Sequence, residues 1–139
     1  MQRKIERHRA ERPKHWTTIE EPLNLATVIE STTDCDLMVI DCLTLFAGKL
    51  LEIYENDSSA IGRTVDGLCT ALTSNRFSIV LASNEVGSGI VPAFELGRQY
   101  RDLLGKINQR VAGIASHVVL MVAGLPFPLK GTLRKEVDA

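Results

Sequence analysis

The first residue with clear chemical potential is Asp41, which directly follows the apolar run at residues 37–40. A continuous run of this kind is typical of a parallel strand that is covered on both faces. Ligands of open α/β sheets bind at the carboxyl ends of the strands. A carboxylate at that position is therefore a candidate Mg²⁺ ligand of a nucleotide site.

A second candidate site lies in residues 83–92, between another apolar run and a long helical pattern. Gly87 and Gly89 permit backbone turns that other residues avoid, and Asn84 and Glu85 emerge where the preceding strand ends. A single GxG is weak evidence of phosphate binding, and a tight strand-to-helix connection explains it equally well. The position of the segment nevertheless predicts that it lines a site at the carboxyl edge of the sheet.

The third candidate is His8, within residues 1–14, where six Lys/Arg outnumber two acids. Neighbouring arginines disfavour the cationic imidazole, which leaves a neutral ring able to attack phosphorus, and they would stabilise phosphate charge. Two other interpretations stay open. The segment could be a solvent-exposed helix with many charged side chains. It could also bind nucleic acid, although Trp16 is the only nearby aromatic residue. His15 and His117 fit exposed or structural positions better than catalytic ones.

The composition limits the classes of protein to which the chain can belong. With 139 residues, 45% hydrophobic and 24% charged, the chain has the size and make-up of one globular domain, spanning residues 1–139. A net charge of −1 gives no general reason to expect nucleic acid or an anionic membrane as partner. Three cysteines without a CxxC pair indicate reduced thiols and a cytoplasmic protein. The longest apolar run, residues 118–125, is too short to span a membrane.

Strand and helix patterns alternate along the chain. Short runs rich in β-branched residues predict strands at residues 37–40, 77–82 and 118–123. Such alternation implies an α/β fold, with a mostly parallel sheet and helices on both of its faces.

The predicted helices carry apolar stripes with a period close to 3.6 residues. A capping segment at residues 56–59 separates the first two stripes, and Pro92 suits the first turn of the longest helix. A further short helix is predicted to open at residues 20–22. The stripes are Leu43, Phe46, Leu50 and Tyr54; Ile61, Val65, Leu68, Cys69 and Leu72; and Leu96, Tyr100, Leu103, Leu104, Ile107, Val111 and Ile114.

Four blocks of residues, taken together and in order, resemble a known family. They are His8-Arg9-x-x-Arg12-Pro13-x-x-Trp16, Asp41-Cys42-Leu43-Thr44-Leu45, Asn84-Glu85-Val86-Gly87-x-Gly89-Ile90-Val91-Pro92, and Arg98-x-x-Arg101-Asp102-x-x-Gly105-x-x-Asn108-Gln109. The chain is similar to the bifunctional adenosylcobinamide kinase / adenosylcobinamide-phosphate guanylyltransferase family of cobalamin (vitamin B12) biosynthesis. The similarity extends over nearly all of the chain.

The resemblance implies a three-layer RecA-like P-loop fold and a homotrimer with sites between subunits. It implies phosphorylation of adenosylcobinamide, followed by transfer of GMP from GTP through a guanylyl-histidine to give adenosylcobinamide-GDP. GTP and ATP would be substrates and Mg²⁺ the cofactor. The family's nucleophile falls on His8, and Asp41 becomes the Mg²⁺ ligand. The implied nucleotide contacts are Arg9, Ala10, Glu11, Arg12, Glu20 and Asp41, and the residues expected to line the site are Asn84, Glu85 and Arg101.

The sequence departs from the family pattern in one respect. No Gly-Lys-Ser/Thr phosphate loop occurs in these residues. The expectation is that the chain lacks an N-terminal strand–loop–helix unit on the order of 30–40 residues. An alternative is a catalytically inert remnant, or an interaction subunit, of the same fold.

Overall fold

The structure is a computed structural model that describes residues 13–55 and 57–132. Helices and strands alternate in the first part of this range, and a pair of strands ends it. The elements in chain order are α1 Leu25–Ser31, β1 Leu37–Asp41, α2 Leu43–Tyr54, α3 Ser58–Ser74, β2 Ser78–Ala82, α4 Glu95–Ile114, β3 Val118–Val122 and β4 Leu125–Lys130.

The core is formed where α1, α2, α3 and α4 meet one face of the β1–β2 sheet. The predicted stripes supply most of it, because apolar residues spaced three and four apart lie on one side of a helix. The buried residues of the cluster are Ile29, Ile40, Leu43, Phe46, Ala47, Leu50, Val65, Leu68, Ala71, Leu104, Ile107 and Val111. The stripe of α4 fails only at its ends, since Leu96 and Ile114 are exposed.

Strands β1 and β2 pair in parallel, with Met38 opposite Ile79 and Ile40 opposite Leu81. These side chains face the helices. Alternate residues point to the other face, where Leu37, Val39 and Val80 are each about half exposed. In the part of the chain that the structure describes, the helices pack on one face of the sheet only, so the predicted covering of the first strand on both faces is not seen there.

The third predicted strand exists, but its place in the parallel sheet was wrongly predicted. Strand β3 pairs with β4 in a separate antiparallel hairpin. Ala123 and Gly124, with φ of 51° and 79°, form a two-residue connection of the kind that matches strand twist. Strand β4 has no counterpart in the prediction because it contains Pro126 and Pro128, which argue against a strand except at an edge.

Of the four helices in residues 13–55 and 57–132, α3 is the one with a side-chain N-cap. The Asp57 carboxylate accepts a hydrogen bond of 2.9 Å from the Ala60 N–H, so the predicted cap of α3 is confirmed. Helix α4 begins at Glu95 and not at Pro92. Among the described residues, none of the helices has the length and apolar character needed to cross a lipid bilayer. The fold is thus mixed α/β, with a small parallel sheet.

Candidate functional site

The parallel pairing places Asp41 at the carboxyl edge of the sheet. Asp41 lies opposite Ala82, the last residue of β2, and its side chain is exposed. Neighbouring strands are about 4.8 Å apart, so the segment that follows β2 starts beside the end of β1. We call residues 83–94 the edge loop. The predicted meeting of Asp41 with the edge loop follows from the register.

Two side chains from different helices hold the backbone of Asn84. Its N–H donates to Thr44 Oγ1 of α2 at 3.2 Å. Its carbonyl accepts from Asn108 Nδ2 of α4 at 3.0 Å. The other side of the Asn108 amide, Oδ1, accepts from Ser83 Oγ at 2.6 Å. The start of the edge loop is thereby fixed between two helices.

Further along, the edge loop folds onto the N-terminal half of α4. Arg101 Nη2 donates to the Gly87 carbonyl at 2.6 Å, and the Gly87 N–H donates to Glu85 Oε1 at 2.6 Å. Arg98 Nη1 donates to the carbonyls of Pro92 and Ala93, at 3.0 and 2.8 Å. Both arginines therefore neutralise backbone carbonyl dipoles of the loop.

Tyr100 connects α4 to the first turn of α2. Its hydroxyl donates to the Thr44 carbonyl at 3.2 Å. Burial raises the pKa of Tyr100, and the negative charge of a Cys42 thiolate raises it further, because both disfavour the phenolate. Pro22, Thr44 and Tyr100 also line one groove, which brings the chain ahead of α1 to the same side of α2.

Four of the predicted site residues lie at this end of the sheet or on the loop that follows it. Asp41 ends β1, Asn84 and Glu85 follow β2 in the edge loop, and Arg101 contacts that loop at Gly87. Glu20 is exposed in the segment before α1, two residues from Pro22 of the groove. The remaining predicted residues, which include the nucleophile, lie outside the described residues; they are His8, Arg9, Ala10, Glu11 and Arg12.

The sequence analysis assigned no role to the three side chains that hold the edge loop in place, Thr44, Ser83 and Asn108, although Thr44 and Asn108 fall in the residue blocks that resemble the family. One signal was available for Asn108. It lies four residues after buried Leu104 and beside buried Ile107, where an amide facing the core side of a helix calls for a hydrogen-bond partner. The partners themselves could not be read from the sequence.

The described residues contain no group of three or more His, Cys, Asp or Glu side chains able to hold a metal ion. Asp41 offers a single exposed carboxylate. Mg²⁺ in nucleotide sites is commonly bound by one or two carboxylates, with phosphate oxygens and water as the other ligands. The donor set at this edge fits that mode of binding and does not fit an all-protein cage.

Comparison of the sequence with known proteins identifies its family. The family model described as cobinamide kinase / cobinamide phosphate guanyltransferase matches residues 1–129. The bifunctional adenosylcobalamin biosynthesis protein CobP of Pseudomonas aeruginosa is 42% identical, over 94% of this chain and 75% of its own length.

Two enterobacterial relatives match over the same share of the chain. The bifunctional adenosylcobalamin biosynthesis protein CobU of Escherichia coli is 33% identical over 94% of this chain and 78% of its own length. The protein of the same name from Salmonella typhimurium is 36% identical, with the same coverage. The chain therefore belongs to the cobinamide kinase / cobinamide phosphate guanyltransferase family of cobalamin-biosynthesis enzymes.

Proposed function

We propose that this protein phosphorylates the aminopropanol hydroxyl of adenosylcobinamide and then guanylylates the product, giving adenosylcobinamide-GDP. The observation that carries the proposal is the carboxyl edge, where Asp41 stands beside a held loop that presents Asn84 and Glu85. Carboxyl edges of parallel strands are where α/β proteins bind nucleotides. The family match over residues 1–129 supports the same activity.

In the guanylyl transfer, the neutral imidazole of His8 attacks the α-phosphorus of GTP. A phosphorus–nitrogen bond forms, the bond to the β-phosphate oxygen breaks, and pyrophosphate leaves. The phosphate of adenosylcobinamide phosphate then takes the GMP group, which frees His8. Arg9 and Arg12 stabilise the charge on the phosphoryl oxygens, as guanidinium groups do in phosphate recognition.

The other nucleotide contacts are assigned to Ala10, Glu11 and Glu20, with Arg101 lining the site through the edge loop. Asp41 would hold Mg²⁺ together with phosphate oxygens of GTP or ATP. When bound, the ion neutralises charge on the triphosphate.

The proposal includes an assembly and a place in the cell. We assign residues 1–139 to one domain of a three-layer RecA-like P-loop fold that forms a cytoplasmic homotrimer. Support for a third layer comes from the apolar face that Leu37, Val39 and Val80 leave exposed, since such faces are normally covered. The exposed apolar side chains of the β3–β4 hairpin support association between subunits.

The test is covalent labelling with GTP that carries ³²P at the α-phosphate. The protein should retain label in a bond that is labile in acid and stable in base, as a phosphoramidate is. His8→Ala should abolish the label, whereas His15→Ala and His117→Ala should keep it. Kinase activity should largely survive His8→Ala, because the substrate hydroxyl attacks the γ-phosphate directly. Label that persists in His8→Ala would move the nucleophile elsewhere.

A second candidate function is that of an inert interaction subunit of the same fold. The exposed hairpin favours it, because Met121, Leu125 and Phe127 are each at least 60% exposed. This candidate predicts no labelling of the wild-type protein and no turnover of adenosylcobinamide. Labelling that depends on His8 would exclude it.

A further inference from the structure

The amide of Asn108 and the hydroxyl of Thr44 act on the same residue, Asn84, from opposite sides. Thr44 Oγ1 accepts from its N–H at 3.2 Å, and Asn108 Nδ2 donates to its carbonyl at 3.0 Å. The N–H and the carbonyl of Asn84 are therefore both hydrogen-bonded. Its side-chain amide is exposed and has no hydrogen-bond partner within residues 13–55 and 57–132.

Fixing a backbone while leaving the side chain free is the arrangement expected of a residue presented to a ligand. An exposed loop backbone ordinarily exchanges its hydrogen bonds with water, and its conformation is then poorly determined. Here the contacts come from residues 40 and 24 positions away along the chain, on two different helices of the core. The placement of Asn84 is thus tied to the packing of α2 and α4.

Thr44 and Asn108, which we call the clamp, also affect the neighbours of Asn84. Ser83 Oγ donates to Asn108 Oδ1 at 2.6 Å, so a single amide bonds two consecutive residues of the edge loop. Glu85 follows directly and bonds the Gly87 N–H. Displacing residues 83 and 84 would therefore shift Glu85 relative to Asp41, which is held independently in β1.

We infer that Asn108 and Thr44 are positioning residues, which hold Asn84 and Glu85 beside Asp41 so that the site accepts a nucleotide. The inference rests on the proposed function for the identity of the ligand. The geometry of the clamp stands without it. Neither residue is assigned a contact with the reacting atoms.

The decisive substitution is Asn108→Asp, with Gln109→Glu as its matched control. Each changes one amide into a carboxylate of the same size, and the two positions are adjacent. Gln109 is exposed. Asn108→Asp removes the donor to the Asn84 carbonyl and places an oxygen against it, whereas Gln109→Glu adds the same charge and breaks no bond of the clamp. A second pair, Thr44→Val and Thr44→Ser, removes or keeps the hydroxyl.

The first readout is hydrogen exchange of residues 83–87 in the ligand-free protein, followed by mass spectrometry. Asn108→Asp and Thr44→Val should speed exchange about tenfold, which corresponds to about 1.4 kcal/mol of lost protection. Gln109→Glu and Thr44→Ser should leave it near the wild-type rate. Unchanged exchange in Asn108→Asp would overturn the inference.

The second readout is the GTP concentration that half-saturates labelling at His8. If only a fraction of molecules holds the loop correctly, the apparent affinity falls by that fraction, while saturating nucleotide restores the placement. A tenfold weaker hold raises half-saturation by less than tenfold, because part of the mutant population still holds the loop correctly. For a loop that is open in about a tenth to a half of wild-type molecules, Asn108→Asp should raise half-saturation about two- to fivefold and change the maximal rate by less than about threefold. Faster exchange with an unaltered half-saturation concentration would show that the edge loop is not part of the nucleotide site, and it would overturn the inference. A wild-type protein without labelling would count against the proposed function alone, because exchange is read without substrate.

Discussion

Gly97, the third residue of α4, offers the sharpest test of how the edge loop is packed. A Cβ placed there would stand 2.7 Å from Pro92 Cβ and 3.3 Å from Pro92 Cγ. Carbon atoms in contact prefer separations of about 3.5–4.0 Å. Gly97→Ala must therefore push Pro92 away by roughly 1 Å. Gly105, in the same helix, is the matched control, since a Cβ there meets nothing within 4 Å.

The cost of moving Pro92 follows from its contacts. Its carbonyl accepts from Arg98 Nη1 at 3.0 Å, so a displacement of that size breaks the hydrogen bond. Overpacking of this kind costs about 1–3 kcal/mol. The gain in helix propensity on replacing glycine is about 0.5–1 kcal/mol, and it offsets part of that cost. Gly97→Ala should be destabilised by about 1–2 kcal/mol, and Gly105→Ala stabilised by about 0.5–1 kcal/mol.

The assay is urea unfolding of both variants and the wild-type protein, followed by far-ultraviolet circular dichroism. A change in midpoint at constant slope reports stability. The midpoints should move in opposite directions. If Gly97→Ala raised the midpoint as much as Gly105→Ala did, Pro92 would not rest on Gly97, and the packing of the edge loop described above would be refuted.

Three further predictions concern the core and two ionisable groups. Leu104→Ala should lower the free energy of unfolding by about 2–5 kcal/mol, since Leu104 is fully buried, whereas exposed Leu96→Ala should change it by less than about 0.5 kcal/mol; urea midpoints that fell equally would contradict this. The N–H groups of Asn24 and Leu23 donate to the Glu21 carboxylate and lower its pKa, so the stability that Glu21 contributes is present above its unfolded pKa of about 4.3 and is lost as the pH falls through the lower folded value. Glu21→Gln should flatten the acid limb of a stability–pH curve, and an unaltered limb would count against these two hydrogen bonds. The pKa of Tyr100 is raised, so the stability that its neutral phenol contributes is complete below about pH 10 and is lost as the pH rises through the higher folded value. Ultraviolet titration of the Tyr54→Phe protein should show the remaining phenol ionising at higher pH than free tyrosine. Ionisation at the pH of free tyrosine would contradict the argument from burial.

The sequence predicted the helices well because their stripes depend on local spacing. Leu43, Phe46 and Leu50 face the core since three- and four-residue intervals put them on one side of α2, whatever the helix packs against. Asp57 was recognisable as a cap for the same reason, because its partner, the Ala60 N–H, is three residues away.

The pairing of β3 could not be predicted in this way. An apolar run such as Val118–Val122 can join a parallel sheet or a hairpin, and the run itself does not distinguish them. The deciding feature is the turn, where Ala123 adopts a positive φ. Alanine is not among the residues that signal such a turn, so the sequence did not predict a hairpin connection at this position.

At the candidate site, the sequence by itself determined which chemical groups reach the carboxyl edge. Asp41 follows one strand and Asn84 follows another, and parallel pairing of those strands brings both to the same end. Only the tertiary structure decided how Asn84 is held. Thr44 and Asn108 are 40 and 24 residues away from it, and a hydrogen bond requires donor and acceptor within about 3 Å. That proximity results from packing α2 and α4 on one sheet face, which no local pattern encodes.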